Sequence, residues 1–125
     1  MTERVQTTKF DSWKKLENHF EEMKDVTIAE LFSTDSGRGK DFSMEAAGLF
    51  MDFSKNIITD KTIELFVELA EEAGLQKAIN DMFSCVKINE TENRAVLHTA
   101  LRNRNNREII VDGRNVMPEV NEVLD

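Results

Sequence analysis

Residues 89–113, NETENRAVLHTALRNRNNREIIVDG, gather the side chains of this sequence that are best suited to contact an anion. The stretch holds five asparagines and four arginines, namely Arg94, Arg102, Arg104 and Arg107. Guanidinium groups form planar, bidentate pairs with phosphate and with carboxylate alike. Three roles are therefore open: binding an anionic substrate, pairing with acidic helices of the same chain, or lining a subunit interface. Residue types alone favour internal ion pairing.

Two histidines and one cysteine are the other candidates for chemistry. His98 could act as a general base or as a ring-opening acid. No Ser, Cys or carboxylate stands at a spacing that demands a catalytic triad, so a structural role is favoured. His19 lies within a charged helical stretch and has no predicted role. Cys85 follows an apolar helical face, and burial is favoured over nucleophilic reactivity.

Two further patterns are weighed and set aside. STDSGRGKD at 33–41 contains glycines like a phosphate-binding loop, but it lacks the Gly-Lys-Ser/Thr ending and the strand-to-helix context of a P-loop. The pairs Glu21-Glu22 and Glu71-Glu72 fall on predicted polar helix faces, where solvated surface is the simplest interpretation.

Composition predicts one small soluble domain. The chain has 125 residues, 40% hydrophobic content and a net charge of −8, and no uninterrupted apolar run long enough for a membrane span. The N-terminus lacks a secretory h-region, and a single cysteine fits a reducing cytoplasm. Two distant histidines and one cysteine do not make a zinc site. The acidic balance argues against nucleic acid as the main partner.

Periodicity predicts several helices and two hairpins. Trp13, Leu16, Phe20 and Met23 mark a helix over 11–24, capped by Asp11 or Ser12. Thr27 and Glu30 have capping-box spacing at the start of a second helix. Alternating apolar residues on either side of Ala47-Gly48 predict a hairpin.

The second half of the chain continues this pattern. A helix begins at Thr59 or Asp60 and ends at Gly74, with a predicted core face of Ile63, Phe66, Val67 and Ala70, and another helix covers 75–83. Thr91 is the predicted cap of a helix over 92–102, and Asp112-Gly113 is a predicted hairpin turn. Pro118 suits the first position of a last helix, which has no terminal cap in the sequence. The fold class is therefore α+β, predominantly helical with short β-hairpins.

Four segments resemble the N-terminal part of the glucose-6-phosphate isomerase (phosphoglucose isomerase) family. They are DVTIAELF at 25–32, FSKNIITD at 53–60, TENRAVLHTALRNR at 91–104 and VDGRNVMPEVNEVLD at 111–125. The order and spacing of these segments are similar to those of the family over nearly the whole chain. One departure is FSCVKIN at 83–89, where the family usually carries Gly-Glu before Lys-Ile-Asn.

The resemblance implies that residues 1–125 are the N-terminal segment of a larger α/β enzyme built from αβα sandwich sugar-isomerase (SIS) domains. The helix that starts near Pro118 would lead into the first of those domains. The family is cytoplasmic, works in glycolysis and gluconeogenesis as a homodimer, and interconverts glucose 6-phosphate and fructose 6-phosphate through a cis-enediol. The reaction needs no metal or organic cofactor.

No catalytic, substrate-binding or metal-binding residue of the family matches a position in this chain. Arg94, His98, Arg102 and Arg104 belong to the family signature, and the resemblance implies that they tie this segment to the sugar-isomerase core. We expect the isolated chain to be inactive and poorly folded, because apolar faces at 109–111 and 120–124 would lack partners.

Two functions of other classes stay open. The chain could be a stand-alone acidic helical module that binds a protein partner through its apolar faces. It could also bind RNA through RNRNNR at 102–107, but the acidic field and the absence of interleaved aromatic residues disfavour this.

Overall fold

The computed structural model describes residues 6–124, which divide into two compact units between Ala73 and Gly74. Helices are the main regular elements of both units, and the described residues of each unit contain one two-stranded antiparallel sheet. The predicted content of helices and short hairpins is therefore confirmed. In the part of the chain that the structure describes, no helix is both long and apolar enough to cross a membrane.

In the first unit, residues 6–73 contain four helices and a hairpin after a short 3-10 turn. In chain order the elements are α1 (Asp11–Met23), α2 (Ile28–Thr34), α3 (Arg38–Asp41), β1 (Ser43–Ala46), β2 (Leu49–Asp52) and α4 (Asp60–Glu72). The predicted helices at 11–24, after Thr27 and at 59–74 are confirmed. The segment 33–41 is not wholly a loop, because α3 occupies its second half.

The core of the first unit lies between α1 and α4, which run antiparallel. Ser12 and His19 of α1 are buried, as are Thr62 and Leu65 of α4. The predicted core face of α4 is wrong, since Phe66 and Val67, like Ile63, are exposed. The reason is that α1 engages α4 through polar side chains, and these contacts turn the Thr62–Leu65 side of α4 inward.

The N-terminus of α1 is capped by a residue that is distant in the sequence. The sequence predicts Asp11 or Ser12 as the cap, and this prediction is wrong. The helix already begins at Asp11, and the preceding residue, Phe10, has no side-chain acceptor. Instead the carboxylate of Glu72 accepts hydrogen bonds from the backbone N–H groups of Asp11 and Ser12, at 3.3 and 3.0 Å, and from Ser12 Oγ at 2.5 Å. The last turn of α4 thus satisfies orphan donors of α1. The prediction that Glu72 is merely solvated surface is wrong.

The local signals of α2 and of the first hairpin are confirmed. Thr27 and Glu30 form the predicted capping box, with Glu30 N–H donating to Thr27 Oγ1 at 3.3 Å and Thr27 N–H donating to Glu30 Oε2 at 2.8 Å. β1 pairs with β2 around a turn in which Ala47 and Gly48 both have positive φ, 52° and 75°. Two left-handed residues in succession make the type I′ turn that suits a two-residue hairpin.

Arg38 is the largest buried polar side chain of the first unit, with 2% of its surface exposed. Its Nε donates to the carbonyl of Ser54 at 2.7 Å, and its Nη2 donates to those of Asn56 and Ile58 at 2.8 and 2.9 Å. The guanidinium carbon lies 4.4 Å from the ring centre of Phe42. Because Arg38 points into the protein, segment 33–41 does not present it to a phosphate.

The described part of the second unit, residues 74–124, contains three helices and a small hairpin. Its elements are α5 (Leu75–Phe83), α6 (His98–Leu101), β3 (Ile110–Val111), β4 (Arg114–Asn115) and α7 (Met117–Leu124). The predicted helix over 75–83 and the turn at Asp112-Gly113 are confirmed. Gly74 has φ 70°, the left-handed conformation predicted for it after the preceding helix.

The predicted helix over 92–102 is wrong in its first half. Asn89 and Arg94 exchange backbone hydrogen bonds of 3.2 and 3.1 Å, and the turn between them places Asn93 at φ 51°. A left-handed residue cannot continue a right-handed helix. Thr91 therefore caps nothing, and only α6, one turn long, remains of the predicted helix.

The last helix begins one residue earlier than the sequence predicts, so Pro118 is its second residue. Asn115 Oδ1 accepts from the backbone N–H of Met117 at 3.0 Å and so satisfies a donor at the start of α7. Val123 and Leu124 are exposed, as are Ile110 and the tip of the first hairpin. Asp125, part of the predicted uncapped end, lies outside the described residues.

Candidate functional site

Arg94, the first residue of the family signature, lies on the surface beside a turn. Its Nη1 donates to Glu92 Oε2 at 3.2 Å, and both side chains are more than half exposed. Its backbone N–H and C=O pair with those of Asn89. Exposed ion pairs contribute little to stability, so the structural contribution of Arg94 lies mainly in its backbone bonds.

The other arginines near this stretch differ in whether they form an ion pair. Arg114 pairs with Glu119 of α7. Arg104 and Arg107 are exposed, and among residues 6–124 no carboxylate lies within ion-pair distance of either. Within residues 6–124 the predicted pairing with an acidic helix is found for Arg114, a fifth arginine just after the cluster, whereas Arg94 pairs with Glu92 in its own turn. The structure does not gather the five arginines into one anion site.

Two signature residues do meet, in a depression that we call the His98 hollow. It is an open cavity of about 580 Å³ lined by Met82, Phe83, His98, Thr99 and Arg102. Arg102 Nη1 donates to the carbonyl of His98 at 3.1 Å. The hydroxyl of Thr99 is buried and has no hydrogen-bond partner among the described residues. The hollow is formed by the end of α5 and by α6.

His98 lacks the partners that general acid–base catalysis needs. Its side chain is exposed, and within the described part of the chain no Ser, Cys or carboxylate side chain is hydrogen-bonded to its ring. A catalytic histidine is normally oriented by such a bond. His98 is therefore a wall of the hollow and not part of a catalytic pair within residues 6–124.

His19 is more constrained than the sequence predicts. It is 7% exposed, its Nε2 lies 2.8 Å from Thr62 Oγ1 and its Nδ1 lies 3.2 Å from Glu22 Oε2. A carboxylate only accepts, so Nδ1 carries the hydrogen of the bond to Glu22. His19 thus joins α1 to α4. His19 lies seven residues after Ser12 and therefore on the same side of α1, and this spacing could have predicted its burial.

Three carboxylates are held ionised by structural hydrogen bonds. The hydroxyl and backbone N–H of Ser12 hold the pKa of Glu72 below its usual value. The backbone N–H and hydroxyl of Thr27 lower the pKa of Glu30, and the hydroxyl and N–H of Ser54 lower that of Asp52. Glu72 and Glu30 cap helix N-termini, and Asp52 closes a turn. These shifts stabilise the fold and do not prepare a proton donor.

The positions that could carry other chemistry are isolated. Cys85 is half-buried at φ 57° after α5, so its predicted burial is only partial. Among residues 6–124 no three His, Cys, Asp or Glu side chains cluster closely enough to hold a metal ion. An apolar groove of about 720 Å³ runs between α1 and α4 in the first unit, with Trp13, Phe20 and Phe66 among its walls. It holds no cluster of catalytic groups.

Comparison with known families indicates the class of protein, which the geometry of the described residues does not. Residues 52–125, more than half of the chain, match the sequence model of a family of enzymes that isomerise a sugar phosphate, described as phosphoglucose isomerase. The chain belongs to the phosphoglucose isomerase family. The resemblance read from the sequence is confirmed, and the matched range contains the whole arginine cluster and the His98 hollow.

Proposed function

We propose that residues 1–125 are the N-terminal segment of a glucose-6-phosphate isomerase, and that the segment supports the enzyme without performing the proton transfer. The complete enzyme would interconvert glucose 6-phosphate and fructose 6-phosphate through a cis-enediol, in the cytoplasm and as a homodimer. The catalytic glutamate, the ring-opening histidine and lysine, and the phosphate-binding loops would belong to its sugar-isomerase domains.

The observation that carries this proposal is the family match over residues 52–125. The described surface supports it, because many large apolar side chains are uncovered. Phe50, Phe83 and Val123 are 70%, 66% and 81% exposed. Apolar surface on this scale marks a face that packs against another part of a protein. The sugar-isomerase core is the partner that the family provides.

The signature residues fit a supporting role. Arg94 and Arg102 each form a hydrogen bond within their own unit, to Glu92 and to the His98 carbonyl. Arg104 is exposed, and its side chain is free to reach a carboxylate of the core. In this proposal Arg94→Ala in the complete enzyme leaves turnover nearly intact and lowers stability only slightly, because the exposed pair with Glu92 is weak and the backbone bonds to Asn89 remain. A normal melting temperature with strongly reduced turnover would oppose it.

A complementation assay tests the proposal. The chain alone should show no conversion of fructose 6-phosphate above the buffer rate. Added to a phosphoglucose isomerase that lacks the region resembling residues 1–125, it should restore activity. Val123→Asp should abolish the restoration, since it places a charge on an exposed apolar face of α7, and Glu122→Gln on the same helix serves as the matched control. Restoration by Val123→Asp, or activity of the chain alone, would contradict the proposal.

The second candidate function is a stand-alone acidic interaction module, and the exposed apolar residues also favour it. The two functions differ in what the free chain does. A module should unfold in one cooperative transition. A segment that needs the isomerase core should unfold broadly.

A further inference from the structure

The apolar stripes of α1 and α4 do not pack directly against each other. Polar contacts join the two antiparallel helices, namely Ser12 to Glu72, Lys15 to Glu68 and His19 to Thr62. The apolar side chains line the groove between the helices, which we call the α1–α4 groove, with Leu16, Phe20 and Met23 from α1 and Phe66 and Leu69 from α4. Two amphipathic helices that direct their stripes into one groove bury them only when a third element fills it.

The α1–α4 groove has the dimensions that suit a helix. Its lining on α1 extends from Trp13 to Met23, a length of about 15 Å at the rise of an α-helix. Helices pack with their axes about 8–10 Å apart, so a third helix can contact both walls at once. It would cover Phe20 and Phe66, which are 62% and 51% exposed. A strand does not suit the groove, because walls made of helix side chains leave its backbone groups unpaired.

The wall beside the first turn of α4 is formed by Ile57 and Ile58. The buried Arg38 holds this segment, since its Nη2 donates to the carbonyls of Asn56 and Ile58 at 2.8 and 2.9 Å. The same guanidinium that orders the 54–58 segment therefore fixes one wall of the groove from inside the first unit.

The charges at the groove select the sign of the occupant. The described lining includes the carboxylates of Glu17 and Glu21 and no lysine or arginine. Glu21 pairs with the exposed Lys24, whereas Glu17 accepts a bond from Trp13 Nε1 at 2.9 Å and has no cation within ion-pair distance among residues 6–124. A second copy of this chain would bring a net charge of −8 to these carboxylates. A helix with lysine or arginine beside its apolar face is complementary to them.

We infer that the α1–α4 groove receives an amphipathic helix with lysine or arginine flanking its apolar face, supplied by the rest of the isomerase. Phe20 and Phe66 contact the apolar face, and Glu17 and Glu21 pair with the cations. The source of the helix rests on the proposed function, whereas its chemistry follows from the groove alone. Since α1 precedes the range that matches the family model, residues 52–125, the match does not itself assign this contact.

The test is a fluorescence titration of the 125-residue chain, in which Trp13 lines the groove and is the single tryptophan. The probe is a synthetic helical peptide without tryptophan that carries leucines along one face and lysines beside them. Its counterpart has glutamate at each lysine position. We expect a saturable blue shift, with the lysine peptide binding at least about tenfold tighter than the glutamate peptide, which corresponds to about 1.4 kcal/mol. Equal binding of the two peptides, or of a rearranged lysine peptide without a continuous apolar face, would overturn the inference.

A variant of the groove wall locates the contact. Phe20→Asp should weaken binding of the lysine peptide at least about tenfold, because docking would bury the new charge. Phe50→Asp, at an exposed position of the first hairpin outside the groove lining, should leave binding unchanged. Equal losses in the two variants would refute the site.

A charge reversal separates recognition from loss of folding. The double variant Glu17→Lys/Glu21→Lys should bind the glutamate peptide more tightly than the lysine peptide, an inversion that unfolding cannot produce. The matched double variant Glu45→Lys/Glu64→Lys changes the net charge equally at exposed positions outside the lining and should keep the preference for lysine. An unchanged preference in the groove variant would show that its carboxylates do not select the helix.

The source of the helix is decided in the complementation assay described above. Phe20→Asp should lose most of the restoration that the unchanged chain gives, and Lys14→Asp, at an exposed position of α1 outside the groove lining, should keep it. Restoration by Phe20→Asp would overturn the assignment of the helix to the isomerase. Failure of the unchanged chain to restore activity would contradict the proposed function and this assignment together, whereas the peptide titration tests the groove without the isomerase core.

Discussion

Replacing Arg38 by methionine should destabilise the first unit by about 3 kcal/mol, the lower end of the cost of removing one partner of a buried charged interaction. Methionine keeps most of the apolar stem but cannot donate. The carbonyls of Ser54, Asn56 and Ile58 would then lose their guanidinium donors. The bond to Ser54 is buried and the bonds to Asn56 and Ile58 are partly buried, and an unsatisfied buried acceptor costs about 1–3 kcal/mol. Part of that cost is offset, because the variant no longer buries a cation.

The assay is urea unfolding followed by tryptophan fluorescence, which monitors the first unit and not the whole chain. Trp13 is the single tryptophan of the chain and lies in α1, so its emission reports on the unit that contains Arg38. Lys40→Met is the matched control, since Lys40 is an exposed residue of the same short helix and should change stability by less than about 0.5 kcal/mol. A loss below about 1 kcal/mol for Arg38→Met would refute the argument that its three carbonyl bonds stabilise the 54–58 segment.

Three further predictions use the same titration. Leu65→Ala, at a site only 2% exposed, should cost about 3 kcal/mol, whereas Val67→Ala, at a site 52% exposed, should cost well under half as much. Glu72→Gln should reduce the loss of stability in acid. Folding lowers the pKa of Glu72, so its carboxylate stabilises the fold above the unfolded pKa and stops doing so as the pH falls through the folded pKa. The wild-type chain and the control Glu71→Gln should therefore both lose more stability than Glu72→Gln below about pH 4.5. Thr27→Ala should cost about 1 kcal/mol through loss of the capping box, and an unchanged midpoint would show that the box is dispensable.

The features that the sequence predicted correctly are those decided within a few residues. The Thr27–Glu30 box and the turns at Ala47-Gly48 and Asp112-Gly113 depend on side-chain reach and on left-handed backbone conformations. Both kinds of signal can be read locally, without knowledge of the partner elements. The family resemblance located the signature residues in the same way, by a continuous run of sequence.

The features that the sequence did not reveal depend on distant partners. Glu72 contacts Ser12 across 60 residues, His19 contacts Thr62 across 43, and Arg38 reaches carbonyls 16 to 20 residues away. Each of these side chains is polar and looked like surface from its neighbours alone. Hydrophobic periodicity assigned the wrong face of α4 because it assumes an apolar partner, and α1 presents hydrogen-bonding groups instead.

The candidate site, too, depends on residues that are distant in the sequence. His98 and Arg102 were singled out by the resemblance, but the hollow also needs Met82 and Phe83 from α5. The predicted helix over 92–102 would have placed the two residues on one regular face. The left-handed Asn93 and the short α6 place them in a different local setting, and Thr99 loses the carbonyl partner that a longer helix could have provided.

The distant cap of α1 has a consequence for how the chain is made. The carboxylate of Glu72 is synthesised 60 residues after the backbone N–H of Ser12 that it accepts from. At typical translation rates this delay is roughly 3–12 s. The N-terminal helix therefore leaves the ribosome before its cap exists, with its apolar stripe open to solvent. The α1–α4 contacts that bury Ser12 and His19 can form only when α4 has been made.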